Sequence, residues 1–229
     1  MKYCALGDSI TFGFIPRNYP GYPGQLKSYA ALVAEKLGME FCNHGISDST
    51  IANLAGHDPM CLRYVQMEND ADLVTVMGGT NDVRCNVPLG TMSDRDNTTF
   101  YGGLHQLLGG LCQKYSFPQN TTTKIVVLTP IKLLDASKSW QPDSAEANAD
   151  ALYKWDEWLE AIREVAAFYK IPVCDLYNTS GINPHLERTV KGYEEEYNGY
   201  YNPFITDGTH PTQEGAELMA QAIVSFLKK

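Results

Sequence analysis

Lys2-Tyr3-Cys4-Ala5-Leu6-Gly7-Asp8-Ser9 is an apolar run of strand length that breaks at a Gly-Asp-Ser turn. The same arrangement recurs twice. Residues 40–43 end at His44-Gly45 in a polar cluster that extends to Ser49, and residues 72–77 (DLVTVM) run into Gly78-Gly79-Thr80-Asn81-Asp82. Two more strands are predicted over 124–128 (KIVVL), closed by Thr129-Pro130, and over 171–176 (IPVCDL). Helical patterns lie between them: 25–37 with Gly38 as a stop signal, a shorter one near 60–67, 98–115, 145–169 and 213–227. The longest carries Leu152, Trp155, Leu159, Ile162 and Val165 at three- and four-residue spacing, so one face is core.

Strands that do not alternate in polarity, separated by helices, predict a parallel sheet covered on both faces. Sites in such sheets lie beyond the carboxyl ends of the strands. The clusters at 7–9, 43–49 and 78–82 should therefore converge on one edge. Two segments break the compact alternation: a polar loop at 136–143 containing Trp140, and a Tyr/Asn/Glu-rich insertion at 181–204.

A length of 229 residues, 44% hydrophobic, suits a single α/β domain. The net charge of -9 comes without any Lys/Arg run, which argues against nucleic acid or an anionic membrane as partner. No apolar stretch approaches the roughly 20 residues of a membrane span. The cysteines at 4, 42, 61, 85, 112 and 174 form no CxxC pair and no Cys/His cluster with metal-ligand spacing, so buried free thiols are expected. Met1-Lys2 leads directly into the first strand and leaves no room for a signal peptide, which predicts a cytoplasmic location; a leader removed beforehand would leave the same sequence.

Ser9 sits where a strand must turn toward a helix, on a rigid support at the predicted edge. Alone, an Asp-Ser pair there ordinarily does turn or capping chemistry. A serine hydroxyl becomes a nucleophile only beside a base. His210, in Asp207-Gly208-Thr209-His210-Pro211 just before the closing helix, is placed to supply one, and Asp207 to hold its ring, although both also fit a helix-entry turn. Gly45 offers a backbone N–H, Asn81 a side-chain amide and Ser9 its own N–H to a developing oxyanion. Asp175, at the end of the fifth strand, is a rival partner for His210. Asp8 and Asp82 are expected to hydrogen-bond nearby backbone, and His44 is a candidate pocket residue beside Gly45.

Gly7-Asp8-Ser9-Ile10-Thr11 with Gly13, Asn43 with Gly45-Ile46-Ser47, Gly79-Thr80-Asn81-Asp82, and Asp207-Gly208-Thr209-His210-Pro211 with Gly215 resemble, in order, the four blocks of the SGNH (GDSL-type) hydrolases. The resemblance spans Gly7 to Gly215. It implies a three-layer α/β/α, flavodoxin-like doubly wound parallel five-stranded sheet. It also implies a catalytic triad of Ser9, Asp207 and His210 with Ser9, Gly45 and Asn81 as the oxyanion hole. No G-x-S-x-G elbow occurs, which disfavours an ordinary α/β-hydrolase.

The implied reaction is ester hydrolysis through an acyl-enzyme on Ser9, needing no metal or organic cofactor. The family includes carbohydrate acetylesterases, lysophospholipases, thioesterases and arylesterases. Tyr193, Tyr197, Tyr200 and Tyr201 near the His210 segment, and Trp140, favour a sugar ring, so a short acyl group such as acetyl on a saccharide leads, with a lysophospholipase or thioesterase as alternative. A catalytically silent carbohydrate-binding protein would not need a base beside a hydroxyl. A nucleotide or flavin site at the first turn lacks the G-x-G-x-x-G and P-loop spacings. Oligomeric state is left open.

Overall fold

The computed structural model describes residues 1–17, 23–116, 122–132, 155–183, 188–189 and 200–229. Five strands, β1 (Lys2–Gly7), β2 (Glu40–Gly45), β3 (Leu73–Met77), β4 (Lys124–Leu128) and β5 (Val173–Cys174), form an all-parallel sheet in the order β2-β1-β3-β4-β5. A two-residue antiparallel pair, β6 (Arg188–Thr189) with β7 (Tyr200–Tyr201), stands apart from it. The helices are α1 (Ser9–Phe12), α2 (Tyr29–Leu37), α3 (Met60–Arg63), α4 (Thr80–Arg84), α5 (Phe100–Lys114), α6 (Trp155–Phe168), α7 (Leu176–Thr179) and α8 (Gln213–Leu227). Among the described residues no helix is long and apolar enough to cross a membrane.

Successive strand residues face opposite sides, so a strand covered on both is apolar along almost its whole length. Cys4, Leu6, Val74, Val76 and Val127 pack against α3, α5 and α6. Tyr3, Ala5, Leu73, Met77, Val126 and Leu128 pack against α2 and α8. This gives the expected three-layer α/β/α fold.

Caps move several predicted boundaries. Helix α2 begins at Tyr29, not at residue 25, because Ser28 Oγ accepts the Ala31 N–H at 3.3 Å. Thr99 Oγ1 likewise accepts the Gly102 N–H at 3.1 Å and starts α5 at Phe100. The helix expected over 60–67 divides into α3 and a 3₁₀ turn, Tyr64–Gln66. Strand β5 keeps two residues, since Asp175 accepts the Asn178 N–H at 3.2 Å and turns Leu176 into α7. The expected start of the long helix at 145 lies outside the described residues, as do Trp140 and most of the 181–204 insertion.

The register decides where the site forms. Gly7 lies level with Gly45 on one side and with Met77 on the other. All three strands therefore release their chains at one edge, at the point where the chain reverses its direction of progress across the sheet.

Asp82, fully buried in α4, ties that edge together by accepting the Ile51 N–H and the Ala52 N–H, each at 2.8 Å. Burial pushes its carboxyl up to about 7, against the pull of those two N–H groups. Asp82→Ala orphans both donors and should cost about 2 to 6 kcal/mol, at roughly 1–3 for each unsatisfied group; unchanged denaturant unfolding would contradict this. A carboxyl raised in the folded state lends stability that is complete below its unfolded value near 3.8 and is lost as pH rises through about 7. Melting temperature should fall from about pH 4 to about pH 7, and fall less in Asp82→Asn.

Candidate active site

Strand β1 hands the chain to α1 through Asp8, whose Oδ1 accepts the Ile10 N–H at 3.0 Å and caps the helix. The turn needs Gly7: a Cβ there would lie 2.9 Å from the Met77 carbonyl oxygen and overlap Thr11. Ser9 follows as the first helical residue, 9% exposed, its N–H at the helix start where no intrahelical acceptor exists. Its Oγ lies 2.9 Å from His210 Nε2.

The partner segment is a tight loop. Thr206 N–H bonds the His210 carbonyl at 2.7 Å, Ile205 bridges Pro211, and Gly208 takes the left-handed φ of 83° that the reversal requires. Inside it, Asp207 Oδ1 accepts the backbone N–H groups of His210 at 2.8 Å and Thr209 at 3.1 Å. Asp207 Oδ2 lies 2.7 Å from His210 Nδ1. Burial pushes the Asp207 carboxyl up, but the His210 ring and these N–H groups outweigh it and hold it below the ordinary value. Phe14 leans on the ring, centroids 4.6 Å apart. With Nδ1 donating to Asp207, Nε2 is left as an acceptor facing Ser9, the arrangement that lets an imidazole take a hydroxyl proton. Asp175, the rival partner, is instead bound to Thr129, Arg163 and Asn178.

Asn81, 7% exposed in α4, donates from Nδ2 to the Ser49 carbonyl at 3.0 Å and accepts at Oδ1 from Arg84 Nε at 3.2 Å. A carbonyl only accepts and a guanidinium only donates, so this pair fixes which way the amide points. Arg84 is held in turn by Asp48, whose other oxygen lies 3.0 Å from His57 Nδ1. Asp48 has a left-handed φ of 69°.

Gly45 corrects the sequence reading. N–H groups alternate sides along a strand, and the next one, of Ile46, bonds the Gly7 carbonyl of β1 at 3.1 Å. The Gly45 N–H therefore faces away from β1, where Asn43 Oδ1 accepts it at 2.8 Å. What the site needs from Gly45 is the missing side chain: a Cβ would lie 2.7 Å from Phe12 Cα and push α1 away. His44 is also turned elsewhere, its Nε2 2.7 Å from Glu68 Oε2. Tyr200 and Tyr201 form β7, and Trp140 lies outside the described residues.

Two arginines that sequence patterns did not single out organise this edge. Arg84 orients Asn81. Arg63 is more deeply set: it donates to the carbonyls of Gly7 and His44, each at 2.5 Å, to Ser49 Oγ at 3.0 Å and to the Asp58 carbonyl at 3.0 Å. Burial lowers it to about 10, with Asp58 and Asp8 opposing, so it stays charged at neutral pH. Burial pushes Asp8 up to about 6, while the Ile10 N–H, His210 and Arg63 pull it down. Among the described residues, the side chains grouped closely enough to hold a metal ion are Cys4, Cys42 and Glu68, upstream of this edge.

The family model for GDSL-like lipases and acylhydrolases matches residues 5–218. A solved protein from Lactobacillus plantarum is 30% identical, superposes with a TM-score of 0.73, and the match covers 99% of this chain and 96% of that one. A protein from Chitinophaga pinensis, described as a possible lipase, is 22% identical with a TM-score of 0.67, covering 99% and 97% of the two chains. Est24 of Sinorhizobium meliloti, a carbohydrate acetylesterase, is 18% identical with a TM-score of 0.63, covering 99% and 98%. No curated protein matches the sequence. The matched span holds the turn after β1, the Asn81 helix and the Asp207–His210 loop, and the chain belongs to the GDSL-like lipase/acylhydrolase family.

Proposed function

We propose that the protein is a serine esterase that hydrolyses carboxylic esters of short acyl groups, with acetyl on a carbohydrate as the leading substrate. The observation that carries this reading is the unbroken relay from Ser9 Oγ to His210 Nε2 at 2.9 Å and from His210 Nδ1 to Asp207 Oδ2 at 2.7 Å. His210 takes the proton as Ser9 Oγ attacks the ester carbonyl, then returns it to the leaving alcohol. An acyl-enzyme remains, and a water activated by the same ring hydrolyses it. Asp207 holds the tautomer and stabilises the imidazolium. The Ser9 N–H and the second hydrogen of Asn81 Nδ2 receive the oxyanion.

The acetyl-saccharide assignment draws on Est24, an acetylesterase on the same fold, and on the tyrosines of the insertion before His210. A longer-chain acyl or aryl group is the second reading. It is favoured by Phe12 and Ile46, large apolar side chains 39% and 38% exposed on the two segments that meet at Gly45.

Hydrolysis of p-nitrophenyl esters from acetate to palmitate separates the two. The expected result is cleavage of acetate and butyrate with a steep decline beyond. Ser9→Ala and His210→Ala, shown folded by circular dichroism, should lower kcat by about 10⁴-fold or more. Activity surviving Ser9→Ala would remove Ser9 as nucleophile, and a maximum at long chains would favour the second reading.

The amide orientation predicts a graded series. Asn81→Ala should lower kcat by about 10² to 10³ with little change in KM, the usual effect of losing an oxyanion donor. Arg84→Gln, which frees the amide without removing it, should fall between this variant and wild type. Equal kcat for Arg84→Gln and wild type would show that the arginine does not position Asn81.

A further inference from the structure

Upstream of the catalytic edge, strand pairing collects a second cluster of reactive side chains. Cys4 of β1 and Cys42 of β2 are register partners, and both belong to the core face beneath α3 and α5. Glu68, just beyond the 3₁₀ turn, reaches them from a third segment. Cys4 Sγ donates to Glu68 Oε2 at 3.3 Å, and one atom from each of Cys4, Cys42 and Glu68 lies within 4.8 Å of the others. His44, two residues after Cys42, places Nε2 2.7 Å from the same carboxylate oxygen. None of these four side chains takes part in the relay from Ser9 to Asp207.

We propose that Cys4, Cys42 and Glu68 form a binding site for a thiophilic divalent cation of the Zn²⁺ type, with His44 hydrogen-bonded to the Glu68 carboxylate.

Two sulfurs and one carboxylate oxygen are a donor set for a borderline-soft ion, not for Mg²⁺ or Ca²⁺, which require oxygen cages. The spacing also suits it. Zinc takes sulfur at about 2.3 Å and carboxylate oxygen at about 2.0–2.2 Å, so tetrahedral ligands of the two kinds stand roughly 3.5 Å apart. The Cys4–Glu68 separation of 3.3 Å needs only a small expansion. Binding forms two metal–sulfur bonds and one metal–oxygen bond, sends the two thiol protons to solvent and changes no oxidation state. A water completes the tetrahedron.

His44 does what outer-shell histidines and carboxylates do for each other at metal sites, fixing the orientation of the ligating oxygen. The ion has a route in, because β2 is the outermost strand of its sheet and the His44 and Glu68 side chains are 22% and 36% exposed. Cys4 lies three residues before Gly7, about 10 Å along the strand at 3.3 Å per residue, so the ion is structural and stands outside the ester chemistry. It would tie β2 to β1 and to the segment that enters β3.

The test uses the whole chain, stripped with chelator and titrated with Zn²⁺ and, separately, Co²⁺. Equilibrium dialysis should give one Zn²⁺ per chain at micromolar free metal, with a rise in melting temperature. Co²⁺ should produce thiolate-to-metal charge-transfer absorption in the near ultraviolet. Cys4 is fully buried and its replacement could unfold the chain, so the informative variants are Cys42→Ser, at a half-buried position, and Glu68→Gln. Both should fold, lose the Zn²⁺-dependent stabilisation, and Cys42→Ser should lose most of the Co²⁺ band. Substoichiometric uptake by wild type, or equal uptake by wild type and both variants, would overturn the proposal.

Discussion

Everything at the active edge depends on three strands ending level, with a glycine where no side chain fits. Gly7 is held between Gly45 and Met77, and the Met77 carbonyl, Thr11 and α1 close around the space a Cβ would need. Because the ends are level, Ser9, the Ile46–Ser49 turn and Asn81 emerge together, although the chain separates them by 72 positions from first to last. Because the glycines are bare, α1 can seat directly over the ends of β1 and β2. A bulkier residue at either position would lift Ser9 away from a ring it meets at 2.9 Å, and hydroxyl-to-imidazole transfer tolerates little misplacement.

The same edge concentrates buried charge. Arg63 directs four hydrogen bonds at three carbonyls and one hydroxyl, meeting the last carbonyl of β1 and the end of β2 together with the loop at Asp58. A lysine, with one compact head group, could not reach β1, β2 and the loop at once. Asp8 and Asp82 do the converse and accept backbone N–H groups from α1 and from Ile51 and Ala52. Each of these buried groups costs solvation, and each is offset by partners that are fixed backbone dipoles. Rigid placement of Ser9 and Asn81 is the return.

The strands and the two covered faces were legible in the sequence because a strand buried on both sides is apolar at nearly every position, as in Leu73–Met77, where Thr75 is the exception and is paired with the Tyr3 hydroxyl. The Ser9, Asp207 and His210 segments were legible because each combines a turn with a chemically distinct side chain. What escaped was set by local hydrogen bonds or by contacts remote in sequence. Ser28 and Thr99 chose where helices start, and Asp175 cut β5 short. The direction of the Gly45 N–H followed from strand parity relative to Ile46, which is visible only once β2 is paired. Nearness to Gly45 along the chain points His44 toward the pocket, but its side chain falls on the Cys42 face and meets Glu68, 24 residues on. Arg63 and Arg84 sit in short helices and resemble ordinary surface arginines until the carbonyls and the amide they serve are in place.

The bond from Gly45 N–H to Asn43 Oδ1 has a second consequence. Strand β2 is a sheet margin, and a margin exposes a row of donors and acceptors that a strand from another molecule can complete. The Asn43 side chain occupies one of those donors internally, at the end of the strand beside Ser9. A neighbouring molecule adding a strand there would first have to break that bond. The end of the margin beside the cleft therefore offers a pairing strand one free donor fewer than its backbone alone would present.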